Sequence, residues 1–86
     1  MQEEQFPEFN IIIKKTRGVS PVGEETKIIA KEAVKLQPKT ALDMGCGTGF
    51  IAIYLQTQGI DCEAVDINEN ALELCKENAK INKREI

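Results

Sequence analysis

Thr40-Ala41-Leu42-Asp43-Met44-Gly45-Cys46-Gly47-Thr48-Gly49-Phe50 is the stretch on which the reading of this 86-residue chain turns. Thr40 to Met44 is a short apolar run suited to a buried parallel strand. Three glycines then alternate with small residues, and the apolar run Phe50 to Leu55 follows at once as a helix. Strand, glycine turn and helix together form a site for a nucleotide-like ligand. Glycine lets the backbone bend sharply and approach a ligand with no Cβ in the way. The free N–H groups and positive dipole end of the new helix face whatever lies over the turn.

The spacing of the turn separates two ligand classes. Dinucleotide-binding turns read G-x-G-x-x-G, the third glycine allowing close helix–strand packing beside a pyrophosphate. Here the glycines fall at 45, 47 and 49, Phe50 is bulky, and Asp43 stands two residues ahead. An acid at the mouth of a phosphate site repels a dianion but suits a ligand carrying an ammonium group. A nucleotide-binding oxidoreductase fragment is disfavoured on this ground. Ala41 to Gly49 resembles motif I of the class I S-adenosylmethionine-dependent methyltransferases, whose ligand carries a sulfonium and an amine. The resemblance implies that Asp43, Gly45, Cys46, Gly47 and Gly49 bind that cofactor.

Composition sets the outer bounds. Eighty-six residues allow one small domain, burying about two-thirds of its unfolded surface. A hydrophobic fraction of 42% and a charged fraction of 29% are ordinary for a globular protein. The net charge is −3, and no Lys/Arg block or aromatic–basic interleaving supports nucleic-acid binding. No apolar run approaches the ~18 residues of a membrane span. The acidic start, Met1-Gln2-Glu3-Glu4-Gln5, is unlike a secretory signal, so a cytoplasmic chain is expected.

Cysteines at 46, 62 and 75 make an odd number with no C-x-x-C pair, and there is no histidine. Neither a zinc site nor a disulfide framework is expected from that set. Cys46 has no histidine base beside it and reads as a small residue tolerated by the turn. Cys62 and Cys75 read as buried small hydrophobes.

Residues 6 to 22 suggest two short extended pieces around a turn at Arg17-Gly18, with the β-branched run Ile11 to Ile13 as a strand. Ser20-Pro21 breaks any continuation. A helix follows from about Glu24 to Leu36, apolar at Ile28, Ile29, Ala33, Val34 and Leu36 and ended by Gln37-Pro38. The segment Val19 to Thr26 is similar to the entry segment that lies over the ligand in the release-factor glutamine methyltransferases and the small methyltransferase-domain family. That similarity implies a ligand contact at Pro21, Glu25 and Thr26.

After the turn, a helix from about Thr48 to Gln58 is apolar on nearly all sides, with Phe50 in the core and Gly59 as its stop. Asp61 to Asn68 supplies a second strand with an acid at its tip. Two parallel strands joined by a helix form a right-handed βαβ unit with both carboxyl ends on one edge. Asp66 thus emerges beside the glycine turn, where an acid accepts hydrogen bonds from ribose hydroxyls. Asn68 is placed to cap the last helix, about Glu69 to Lys83. Its apolar positions are Ala71, Leu74, Cys75 and Ile81. Asp66 to Leu72 resembles the second motif of the same methyltransferases, which implies that Ile67 packs on the adenine.

The expected fold class is α/β, a partial Rossmann-like methyltransferase fold. Residues 1–22 form an N-terminal extended or hairpin segment, and residues 23–86 a truncated S-adenosylmethionine-binding domain with an incomplete sheet. Only the first two strands of the core sheet are found, and the Asn/Asp-Pro-Pro-Tyr stretch of amide-methylating members is absent, so no catalytic residue is named. The chain is expected to be a fragment, a truncated reading frame or one half of a split enzyme. It would bind S-adenosylmethionine and be inactive until completed. The alternative is a non-catalytic module that binds the cofactor or its demethylated product. An unpaired edge on the Thr40–Met44 strand invites self-association or a completing C-terminal chain.

Overall fold

The computed structural model describes residues 2–86, which form two two-stranded sheets and three helices. Strands β1 (Gln2–Phe6) and β2 (Ile11–Lys15) pair antiparallel, with Phe6 opposite Ile11 and Glu3 opposite Lys14. Helix α1 (Glu24–Lys35) follows. Strand β3 (Thr40–Met44), helix α2 (Phe50–Thr57) and strand β4 (Asp61–Val65) then form a parallel βαβ unit, with Met44 level with Val65. Helix α3 (Glu69–Ile81) comes last.

The hairpin differs from the sequence expectation in its partner strand. The turn at Arg17-Gly18 is present, with Gly18 at φ 87° and the Val19 N–H reaching the Thr16 carbonyl at 3.4 Å. No strand follows it. The strand that pairs with Ile11–Lys15 comes before it, from the acidic start of the chain. Two physical facts favour this choice. Pro21 lacks an N–H and cannot extend a ladder, whereas Glu3 lies across from Lys14, and Lys15 Nζ is 3.5 Å from Glu4. The connection, residues 7–10, closes with the Phe9 N–H on the Phe6 carbonyl at 2.9 Å and tucks Phe9 inward.

Phe6, Phe9, Ile11 and Ile13 of the hairpin share one core with Ala30, Phe50, Ile53 and Ala79. Phe50 is its centre, meeting Phe6 and Phe9 edge-on with ring centroids 5.0 Å away in each case. Such pairs add to simple area burial. A second cluster, Ala52, Leu55, Ile60 and Cys62, fills the space between α2 and the parallel strands.

Helix α1 departs from its expected face. Ala30, Ala33 and Val34 form the inward stripe, while Ile28, Ile29 and Leu36 are exposed. The 30, 33, 34 spacing is the narrow helical stripe that one neighbouring helix can cover, and small side chains there let α1 lie close to α2. Its Lys27 and Lys31 bend over the Phe6 and Phe9 rings, and Lys31 also bonds Glu8.

The parallel strands are covered on one side. Ala41, Asp43, Cys62 and Ala64 turn inward, whereas Leu42, Met44 and Val65 are exposed at 54%, 73% and 40%. Parallel pairs usually have both faces covered. Among the described residues no further strand pairs with β3.

The alternation in β2 gives a direct test. Ile13 is completely buried and Ile12 half-buried. Ile13→Ala is expected to lower stability by about 2–5 kcal/mol, and Ile12→Ala by much less, in urea denaturation. Equal losses would contradict the register.

Candidate functional site

Two strand tips and one turn make the site. β3 ends at Met44, and the chain passes through Gly45, Gly47 and Gly49 at φ values of 72°, 55° and 93° before α2 starts. These are left-handed conformations that glycine adopts without strain. Gly49 is constrained further: a Cβ there would stand 2.7 Å from Cys75 Sγ and 3.2 Å from Cys75 Cα. The turn therefore seats directly on α3, and only a residue without a side chain lets it do so.

The turn amides do not stand free as the sequence suggested. Gly45 and Cys46 N–H groups both donate to the Val65 carbonyl at the end of β4, at 2.8 and 3.0 Å. The Gly47 N–H donates to Asp66 Oδ2 at 3.0 Å, and the Gly49 N–H to the Cys46 carbonyl at 2.8 Å. Asp66 Oδ1 accepts the Asn68 N–H at 2.9 Å, and Asn68 in turn caps α3 through the Asn70 N–H at 3.0 Å. The two strand tips are thus stitched together through one carbonyl and one carboxylate. The bonds from Asn68 and Gly47 hold the Asp66 pKa below the ordinary carboxylate value.

Asp43 has the opposite environment. It points inward from β3, and its Oδ2 is buried with no hydrogen-bond partner. Burial raises its pKa above 3.8, the Ala52 N–H in the first turn of α2 pulls the other way, and the nearby charge of Asp66 adds a small upward push. Buried carboxylate oxygens are normally satisfied, so an orphaned one marks a place where something else belongs.

Asp43, Gly45, Cys46 and Gly47 line a recess of about 130 Å³, closed on its far side by Ser20, Pro21, Val22 and Thr26, with Thr48, Phe50 and Ile51 at its floor. Of the three residues singled out in the entry segment, Pro21 and Thr26 line the recess and Glu25 does not. Gly49 is buried against α3 and does not line the recess. Asp66 and Ile67 stand outside it on the neighbouring strand tip, Ile67 fully exposed. The sequence reading missed Ser20, Val22, Thr48 and Ile51. The helical phase of Ile51 and the run-up to Pro21 were the available signals.

The three cysteines are free and buried. Desolvation pushes the Cys62 thiol up to about 11 and raises those of Cys46 and Cys75 as well. All three are therefore protonated near neutral pH, which makes them poor nucleophiles. Among the described residues no group of three or more His, Cys, Asp or Glu side chains is placed to hold a metal ion. No helix among them is long and apolar enough to cross a membrane.

The methyltransferase small domain family matches residues 18–86, leaving most of the hairpin outside the match. The chain is 35% identical over 78 residues to the release factor glutamine methyltransferase of Aquifex aeolicus, covering 84% of this chain and 28% of that protein. It is 35% identical over 79 residues to the ribosomal protein L11 methyltransferase of Thermotoga petrophila, covering 84% and 30%. A Methanocaldococcus jannaschii protein, provisionally named a protein N5-glutamine methyltransferase, is 40% identical over 60 residues, covering 69% and 30%. The chain spans less than a third of the length of each. No solved structure matches it.

The orphaned carboxylate carries a stability prediction with a definite sign. Because burial raises the Asp43 pKa, the folded chain holds that proton more tightly than the unfolded chain. Ionisation at neutral pH therefore works against folding. Asp43→Asn, which keeps the shape without the charge, is expected to stabilise the unliganded protein at pH 7. The gain should shrink as the pH falls through the raised folded-state pKa toward 3.8, and be gone below it, where both states are protonated. Urea denaturation of both forms at pH 7 and pH 3 measures it.

Proposed function

The chain belongs to the methyltransferase small domain family, and we propose that it binds S-adenosylmethionine as the cofactor half of a methyltransferase. In this reading the βαβ unit is the opening part of a Rossmann-like domain running from about residue 23, and the N-terminal hairpin is its support. The observation that carries the proposal is Asp43, which lines a recess beside a glycine turn and keeps one buried carboxylate oxygen, Oδ2, without a partner.

The residues fit the cofactor. A buried, unpaired carboxylate oxygen is an acceptor waiting for a cationic donor, and the methionyl ammonium is one. The recess, at about 130 Å³, is smaller than a typical ligand pocket of roughly 300–1,000 Å³. It would take the amino-acid end, leaving the nucleoside on the open shelf by Asp66 and Ile67. Each Asp66 oxygen accepts one backbone N–H and keeps capacity for a ribose hydroxyl. Ile67 offers an exposed apolar side chain for a purine face. The cofactor supplies an electrophilic methyl group on sulfonium sulfur, and the protein's task is to orient it.

Relatives named for a release factor glutamine and for ribosomal protein L11 share this segment, so the methyl acceptor is chosen elsewhere. We place acceptor binding, and hence activity, in a completing part of the fold. Support comes from β3, with its open edge, and from the exposed Leu42, Met44 and Val65 beside it. A parallel strand added there would pair the edge, and a helix would cover the face. A cytoplasmic location goes with the reading, since three free buried thiols suit a reducing compartment.

Calorimetry separates the cofactor classes. S-adenosylhomocysteine is expected to bind and NAD not to. Asp43→Asn, folded and more stable, should weaken S-adenosylhomocysteine binding roughly 10- to 100-fold, the value of a hydrogen bond to a charged group. Unchanged affinity in that variant would sink the proposal.

Sedimentation velocity tests the open face. The wild-type chain alone should self-associate at micromolar concentration, and Leu42→Lys/Met44→Lys should not. A wild-type protein that stays monomeric would remove the case for a completing segment at this face.

A further inference from the structure

Two asparagines of α3 dock the hairpin as if the helix were a strand. Asn78 Oδ1 accepts the Lys14 N–H at 2.8 Å, and its Nδ2 donates to the Lys14 carbonyl at 3.1 Å. Four residues on, Asn82 Oδ1 accepts the Ile12 N–H at 2.9 Å, and its Nδ2 donates to the Ile12 carbonyl at 2.7 Å. The pitch makes this possible. Four helical residues rise about 6 Å, close to the roughly 6.6 Å between alternate residues of a strand. The outer edge of β2 is closed in this way by side-chain amides.

The two asparagines then differ in their second amide hydrogen. That of Asn82 returns to its own helix, on the Asn78 carbonyl at 2.8 Å. That of Asn78 crosses to the Thr48 carbonyl at 2.8 Å, inside the glycine turn. Asn78 is completely buried and Thr48 nearly so, so water does not compete for this bond. The Thr48 carbonyl belongs to the same peptide plane as the Gly49 N–H, which closes the turn onto the Cys46 carbonyl. Holding that oxygen sets the plane of a peptide in the glycine-rich turn, between the left-handed Gly47 and Gly49.

We propose that Asn78 is a positioning residue for the ligand site: it fixes the Thr48–Gly49 peptide and couples the β1–β2 hairpin to the glycine turn. The affinity part of the claim rests on the cofactor reading above; the structural part does not. Asn82 is the internal control, because it clamps β2 equally well and does not touch the turn.

Amide hydrogen exchange by NMR tests the structural part. Asn78→Ser should speed exchange at Gly49 about tenfold or more relative to wild type, and Asn82→Ser should leave Gly49 unchanged while freeing Ile12. Equal effects of the two variants at Gly49, or none, overturn the proposal. Calorimetry with S-adenosylhomocysteine gives the affinity part, with about a tenfold loss expected for Asn78→Ser and none for Asn82→Ser. If wild type itself ignores that compound, the cofactor reading fails and exchange at Gly49 still decides the role of Asn78. Should Asn78→Ser not fold, the wild-type protein suffices. Coupling is reciprocal, so S-adenosylhomocysteine should slow exchange of the Lys14 amide more than that of Ile12. Equal protection of the two would overturn it.

Discussion

A backbone N–H or C=O that leaves water must find a partner, and this small protein is arranged around where those partners come from. Three strands and one turn raise the question, and they are answered differently. The outer edge of β2 is closed by Asn78 and Asn82 from a helix. The glycine turn is closed by the Val65 carbonyl and the Asp66 carboxylate from the neighbouring strand tip. Beside β4, Gln56 Nε2 bonds both the Cys62 and the Glu85 carbonyls, drawing the last residues against the βαβ unit. β3 receives no such side-chain closure among the described residues, and Leu42, Met44 and Val65 are exposed on the face beside it.

The same accounting separates the two acids of the site. Asp66 and Asp43 leave adjacent strand tips on the same edge, yet both oxygens of the first have a hydrogen-bond partner and one oxygen of the second has none. Asp66 accepts two backbone N–H groups, is favoured in its charged form, and holds the turn to β4. Asp43 lies inward with one oxygen unpartnered and is disfavoured in its charged form. A chain selected for stability alone would not keep that group. Departures of this kind from local consistency are concentrated at functional sites.

Much of this was legible from residues 40–68, where local signals and tertiary demands agree. The run Thr40–Met44, the alternating glycines and the Asn68 cap each have one strong structural meaning, and the strands and helices fall where those residues put them. The hairpin was harder. Gln2-Glu3-Glu4-Gln5 carries no alternating apolar pattern, because an edge strand exposed on one side needs none, and only its pairing with Lys14 and Lys15 gives it a place. Ile28 and Ile29 misled for a related reason: an apolar residue at helical spacing reads as core whether or not a neighbour arrives to cover it. Asn78 and Asn82 left no trace at all. Asparagine in a helix reads as a surface residue, and its burial becomes sensible only once β2 is known to lie alongside.

The engaged turn changes what the site can recognise. A helix N-terminus with free amides is an anion site, and glycine turns of the dinucleotide kind use it for pyrophosphate. Here the Gly45, Cys46, Gly47 and Gly49 amides are spent within the protein, and the carboxylate of Asp43 lies against the first turn of α2. The positive end of the helix is thereby offset by a negative side chain before any ligand arrives. What faces the recess is a buried negative charge, with a second carboxylate on the adjoining tip. Such a field repels phosphate and attracts an ammonium or sulfonium. The G-x-G-x-G spacing and the preceding acid therefore act together: the tighter turn lets its amides be satisfied internally, and the acid replaces them as the charged group beside the recess.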